Sequence, residues 1–440
     1  MGALDLPSQA VCIETRHAKR LCLRHDDIEL PSCIDSTRLQ LQLSQPVQSP
    51  AVWHEDDNDG HFNHRPGENL TPRYKILRQM GEGTFGRVLE CWDRDAQELV
   101  AIKVVRSAEK FREAARIEVN ILRTLAENDI RGTGGCVQIK DWFDYRNHIC
   151  IVCEKLGPSL FDLLQTNNYH PMSIDLVQEF GRQILNSVAF MHSLRLIHTD
   201  LKPENVLLAA TEYQNTLNYE APISNKIKLI DFGSAAYAGG DCFSVVSTRH
   251  YRAPEVILGQ FMIYQGVFHS SNHCTHAEAL DTHSKYELFL SIMWIFFLLS
   301  IFSGFGWSFP CDIWSVGCIL VELCSGEALF QTHENIEHLA MMERVLGPIP
   351  VHVIKRSMYK SGKYFKYGRE LNWPDDSTTK DSIQAVCKLP KLRNLVMQHA
   401  DHSAGLLIDL LERLLKYDPE ERLTARMALE HPFFRELPRR

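Results

Sequence analysis

The chain has no excess of basic charge: its 440 residues carry 47 Lys+Arg against 55 Asp+Glu, a net charge of −8. That balance disfavours direct nucleic-acid binding, which needs clustered cations, and suits a basic partner. The opening residues MGALDLPSQA have no basic stretch followed by an apolar one, so no secretory leader is expected. Thirteen cysteines are scattered through apolar segments, with a single Cys-x-x-Cys, Cys150 to Cys153. This pair falls in the β-branched run HICIVCE, where residues three apart face opposite sides of a strand, and no second pair lies nearby. Reduced thiols packed in a core account for it better than zinc does. Leu6 stands where an N-myristoylation signal needs Ser or Thr, which removes that lipid anchor as well.

What is present is the 45% apolar content of a globular protein. Residues 1–70 have no sustained hydrophobic period. They include a Gln/Ser/Pro stretch at 40–50 and an acidic patch, Glu55, Asp56, Asp57 and Asp59, and read as a disordered extension. The cluster Arg16, Lys19, Arg20 fits part of a nuclear import signal, though a solvated charge group is the simpler account. From 74 to 154, short β-rich runs (RVLECWD, ELVAIKVV, CVQIKDWF, HICIVCE) surround one helical stretch at 111–127, which predicts a small sheet domain with one helix. From about 158 to 434 the apolar spacing is helical, as at 175–192, 312–324, 336–346 and 404–415, predicting a larger, mainly helical lobe. The fold class is α+β in two lobes with a hinge near 154–157, followed by a tail, 435–440.

Between two predicted strands lies Gly81-Glu82-Gly83-Thr84-Phe85-Gly86-Arg87-Val88, whose glycines let backbone N–H groups approach phosphate oxygens. A dinucleotide fingerprint would open a helix; this loop runs into a strand. Downstream, Val100-Ala101-Ile102-Lys103 places a lysine in an apolar strand, where an unpaired ammonium costs several kcal/mol. Glu118 on the following helix supplies an anion, and the α- and β-phosphates of ATP supply the rest. His198-Thr199-Asp200-Leu201-Lys202-Pro203-Glu204-Asn205 precedes an apolar strand and then Asp231-Phe232-Gly233. Phosphoryl transfer needs these residue types: a carboxylate (Asp200) to orient the acceptor hydroxyl and take its proton, a lysine (Lys202) to balance charge, and hard oxygen ligands (Asn205, Asp231) for Mg2+.

With Ala253-Pro254-Glu255, Asp312-Ile313-Trp314-Ser315-Val316-Gly317 and Arg422 following in order, residues 74–434 resemble the eukaryotic protein kinases. The resemblance implies the two-lobed kinase fold, ATP and Mg2+ as cofactors, and an ion pair of Glu255 with Arg422. It assigns adenine hydrogen bonds to the backbone of Glu154 and Leu156 and ribose contact to Asp162, and adds Val88, Ala101 and Leu207 to the nucleotide-binding set. The string from Glu337 to Gly347, EHLAMMERVLG, is similar to the signature of the LAMMER, or CDC-like, kinases, as is His-Thr-Asp at 198–200, and the plant members are the most similar. That family implies dual-specificity, nuclear enzymes acting on arginine/serine-rich splicing factors; a further share in the cytoplasm and a monomeric state are expected beside it. Glu204 lies where similar kinases bind a substrate arginine, and Thr199 leaves no catalytic-loop guanidinium to hold a phosphorylated activation loop.

Residues 260–304 depart from the family pattern. Residues 288–307, LFLSIMWIFFLLSIFSGFGW, carry no charge and are long enough for a membrane span. A single span would put Asp200 and Asp312 on opposite sides of a bilayer, which contradicts one shared lobe and disfavours a membrane. A buried extra helix needs a groove to receive it; translated intron sequence with no evolved role is the favoured reading. A catalytically dead scaffold and a membrane-anchored kinase are the rival functions. Cys153 stands at the back of the nucleotide pocket where the family has a bulky aromatic.

Overall fold

The computed structural model describes residues 56–209, 213–216, 219–222, 224–239, 245–259, 307–399 and 404–435. The segment 260–304 lies outside the described residues. Among those described, no helix is long and apolar enough to cross a membrane.

The first lobe is a five-stranded antiparallel sheet, β1 (Tyr74–Gly83), β2 (Gly86–Asp93), β3 (Glu98–Val105), β4 (Ile139–Tyr145) and β5 (His148–Glu154), in the order β1-β2-β3-β5-β4. Period-two alternation divides its faces. Val100, Ile102 and Val104 of β3 join Cys150 and Val152 of β5 in one small core with Ile76 and Leu89. Ile149 and Ile151 face the opposite way, into the core shared with helix α1 (Glu109–Asn128). Cys150 and Cys153 therefore pack on opposite faces as free thiols. The same alternation leaves Ala101 and Lys103 half-buried on the side away from Val100 and Ile102. Helix α1 buries Ala115, Glu118, Val119, Leu122 and Leu125, the three-and-four spacing of a one-sided apolar stripe.

The second lobe begins with α2 (Leu160–Thr166) and α3 (Ile174–Ser193), followed by short strands at Leu196–Ile197, Val206–Leu208 and Ile227–Leu229. After α4 (Pro254–Leu258) come α5 (Pro310–Ser325) and α6 (Asn335–Leu346), with further helices to Leu429. Helix α5 is buried nearly all round, from Cys311 and Asp312 in its first turn to Cys324 in its last, as a central core helix must be. A Cβ on Gly181 of α3 would sit 2.8 Å from Leu320 of α5, so glycine permits that close crossing. The motif helix α6 buries His338, Leu339, Ala340, Met341, Met342 and Val345.

One boundary is corrected. The acidic patch assigned to a disordered extension is, from Asp56 onward, folded against the sheet: His61, Phe62 and Leu70 are buried, and Phe62 packs edge-on to Tyr145 and His148. Its partners lie far along the chain, beyond the reach of local composition.

Candidate active site

The strands β1 and β2 pair up to Gly83 opposite Gly86, so Thr84 and Phe85 form the tip of the glycine-rich loop. A Cβ on Gly86 would lie 2.2 Å from the Val104 carbonyl, whereas at Gly81 and Gly83 it would meet nothing within 4 Å. Gly86 thus serves packing; Gly81 and Gly83 leave open backbone for a ligand. Glu82 of this loop accepts from Arg87 Nε at 2.8 Å. Phe85, exposed at the tip, lies edge-on to Phe111 with its ring centroid 5.8 Å from Lys103 Nζ.

Beneath the loop, Lys103 Nζ donates to Glu118 Oε1 and Oε2 at 2.8 and 2.9 Å and to Asp231 Oδ1 at 3.1 Å. Burial works against the ammonium, but Glu118 and Asp231 outweigh it and raise its pKa. Burial likewise opposes the Asp231 carboxylate, and Lys103 more than compensates, holding its pKa below the ordinary value. A Cβ on Gly233 would approach Glu118 Oε2 to 3.2 Å, so the small residue after Phe232 keeps room for this trio.

The catalytic loop hangs from one buried carboxylate. Asp312, 1% exposed, accepts from the backbone N–H of His198 and of Thr199 at 2.9 Å each and pairs with His192 Nε2 at 2.9 Å. Asp200 Oδ2 takes Lys202 Nζ at 2.7 Å, while its Oδ1 accepts from Thr248 N at 2.8 Å and Thr248 Oγ1 at 2.7 Å. Burial favours the neutral acid, yet Lys202 and Thr248 prevail and lower its pKa, so Asp200 stays ionised and poised to accept a proton. Asn205 spends its amide nitrogen on the Asp200 carbonyl at 2.9 Å, which leaves its Oδ1 as a hard ligand atom. With the depressed Asp231 carboxylate, this donor set fits a divalent cation.

Two of the expected nucleotide-binding residues lie on adjacent strands of the first sheet, next to Lys103 and Cys153. Val88 pairs with Lys103 across β2 and β3, and Ala101 pairs with Cys153 across β3 and β5; Val88, Ala101 and Leu207 are all half-buried. Glu154 N donates to the Gln138 carbonyl at 3.1 Å, so its backbone has only the carbonyl to offer a ligand. Its side chain is engaged by Lys228 and by Gln138 N. Leu156 is buried. Asp162 caps its own helix: Oδ2 accepts from Ser159 N at 2.9 Å and Ser159 Oγ at 2.7 Å in a reciprocal capping box, so any ribose contact falls to Oδ1. The spacing Ser159-x-x-Asp162 carries that signal. Burial raises the Cys153 thiol to about 12, an unreactive lining group.

Glu255 and Arg422 form a fully buried bidentate pair at 2.7 and 2.9 Å. Beside Glu204, one residue was not foreseen: Glu322 of α5, which accepts from Tyr251 Oη at 2.6 Å. Burial pushes Glu322 up to about 7, the Tyr251 bond opposing and Glu204 adding to the rise. The Oε2 of Glu204 is itself buried, with no hydrogen-bond partner among the described residues.

The family model for the protein kinase domain matches residues 74–282 and 301–434. The chain is 54% identical over 403 residues to serine/threonine-protein kinase AFC1 of Arabidopsis thaliana, covering 88% of this chain and 76% of that protein. The chain is a protein kinase of the LAMMER type. Dual specificity protein kinase CLK2 of Mus musculus is 41% identical, over 86% of the kinase and 67% of its own length. The crystal structure of the PF14_0431 kinase domain superposes with a TM-score of 0.70 at 33% identity, covering 86% of the kinase and 100% of that chain. The kinase uses ATP and a divalent metal, as its domain implies.

Proposed function

We propose that this kinase phosphorylates serines flanked by arginine in basic, arginine/serine-rich proteins, splicing factors among them, as a monomer in the nucleus with a share in the cytoplasm. In this reading Lys103, held by Glu118, would pair with the phosphates of ATP, and Asn205 and Asp231 would hold Mg2+, which would supply neutralisation of phosphate charge. Asp200 orients the acceptor hydroxyl and accepts its proton, and Lys202 balances the charge of the transferring group. Val88, Ala101 and Leu207 sandwich the adenine, with the Glu154 carbonyl and the Leu156 amide at its edge. In this reading tyrosine is an acceptor too, a reading that relatives named as dual specificity protein kinases support.

One observation carries the arginine preference: Glu204 Oε2 has no hydrogen-bond partner among the described residues, and its carboxylate acts electrostatically on a buried acid, Glu322. A buried acceptor left unmade costs about 1–3 kcal/mol, more when charged. A guanidinium, with five donors in a planar fork, satisfies two carboxylates at once. The test compares peptides in which a serine is flanked by arginine or by alanine. Glu204→Ala is expected to raise KM for the arginine peptide at least about tenfold and to spare the alanine peptide; equal loss on both removes the contact.

A further inference from the structure

The acidic strap that precedes β1 is joined to the glycine-rich loop by two arginines. Arg87, directly after Gly86, donates Nη2 to Asp57 Oδ2 at 2.9 Å and Nη1 to the Phe62 carbonyl at 2.9 Å and Asn63 Oδ1 at 3.3 Å. Its Nε meanwhile holds Glu82 inside the loop at 2.8 Å. Arg106, at the end of β3, donates Nε to the Asp59 carbonyl at 2.7 Å and Nη1 to the Thr84 carbonyl at 3.3 Å, at the loop tip; its own N–H meets the Phe85 carbonyl at 3.0 Å. Each guanidinium therefore has one edge on the strap and the other on the loop.

The strap is shaped for this. Asp57 Oδ1 accepts from Asp59 N at 3.0 Å and His61 N at 2.8 Å, closing a tight turn that ends at Gly60 with φ +76. A Cβ on Gly60 would press to 3.2 Å on Ser107 Oγ, and Ser107 itself bonds both Asp56 Oδ2 at 2.8 Å and Gly60 O. Behind the turn, Asp56 Oδ1 meets the fully buried His148 Nε2 at 3.0 Å, and Phe62 anchors the segment against Tyr145 and His148. A glycine-rich loop is intrinsically loose, and ordering it is a cost that nucleotide binding must meet.

We propose that residues 56–63 form a strap that pre-orders the glycine-rich loop for ATP, with Asp57, Arg87 and Arg106 as positioning residues. They touch no reacting atom; they act by holding Glu82 and the Thr84 carbonyl where the loop closes over phosphate.

Full-length Asp57→Asn and Arg106→Gln separate this from a merely structural role, each assayed with ATP varied at saturating peptide and with peptide varied at saturating ATP. The expected result is a rise in KM for ATP of about three- to tenfold in each, with kcat and peptide KM within about twofold. Asp57→Glu, which keeps the charge, is expected to restore most of the ATP affinity. Direct titration with a fluorescent ADP analogue below each variant's melting temperature gives the same ranking if the strap acts on binding. An unchanged KM for ATP in Asp57→Asn, or parallel losses in ATP and peptide KM, overturns the proposal.

Discussion

The hydroxyl of Thr199 donates to the carbonyl of Ser234 at 2.8 Å, tying the catalytic loop directly to the segment after Asp231-Phe232-Gly233. Thr199 is 1% exposed, in the left-handed region at φ 69, while its N–H is held by Asp312. In kinases with an arginine here, a phosphate on the activation segment bridges the same two elements. Here a neutral hydrogen bond does so without a phosphate.

Phosphatase treatment is therefore expected to leave kcat within about twofold, because no charge on the activation segment is needed to align Asp200. Thr199→Arg would place a cation in a buried site where Asp312 already accepts from His192, His198 and Thr199, at a cost of about 3 kcal/mol or more. A thermal melt of that variant indistinguishable from wild type would show that the site is looser than its burial implies.

Removing charge from the phosphate site is expected to abolish transfer without unfolding. Lys103→Met and Asp231→Asn each delete one member of the trio with Glu118, and neither residue packs a core. Circular dichroism should be unchanged while metal-dependent activity falls by about a thousandfold. Activity above about a tenth of wild type in either variant removes the role assigned to that residue.

Much of this site was legible as motifs because phosphoryl transfer demands fixed residue types near one another in sequence: Asp200, Lys202 and Asn205 share one loop. Glu322 was not, since it sits inside the apolar run CILVELCS and shows its meaning only when α5 brings it to Tyr251. The strap was hidden for the opposite reason. Asp56, Asp57 and Asp59 have the composition of a disordered tail, and the residues that order them, Arg87, Arg106 and His148, are supplied by β2, the end of β3 and β5. At Asp162 the expectation of a ribose contact drew attention from the helix cap that Ser159-x-x-Asp162 already spells.

The acid pocket gives a pH signature. Glu322 titrates near 7 in the fold against an ordinary 4.5, so between those values the folded state holds a proton that the unfolded state has lost. Stability should fall as pH rises through that window, and Glu322→Gln should flatten this component. A substrate guanidinium prefers the ionised acid, so kcat/KM for an arginine-flanked peptide, divided by that for a neutral one, should climb between pH 6 and 8 by up to about tenfold. The same ratio in Glu322→Gln should be flat with pH; a matching climb in the variant assigns the titration elsewhere.

Deleting residues 260–304 is expected to raise soluble yield and activity together. They fall between α4, whose Glu255 is locked to Arg422 in a fully buried pair, and α5, which starts at Pro310. Arg422 also takes the Pro310 carbonyl at 2.6 Å, so one guanidinium fastens both ends of the gap, and a short connection can bridge them. Closing a longer loop adds only about 1–2 kcal/mol by the logarithmic law, so length alone would not unfold the lobe. Composition is the greater hazard: IMWIFFLLSIF joins aromatic and β-branched residues without a charge, the pattern of an aggregation-prone segment. Size-exclusion yield and peptide phosphorylation of the deletion, compared with the full chain, decide the matter. Lower activity in the deletion, or a full chain that is already monodisperse and equally active, would make the segment an integrated part of the kinase.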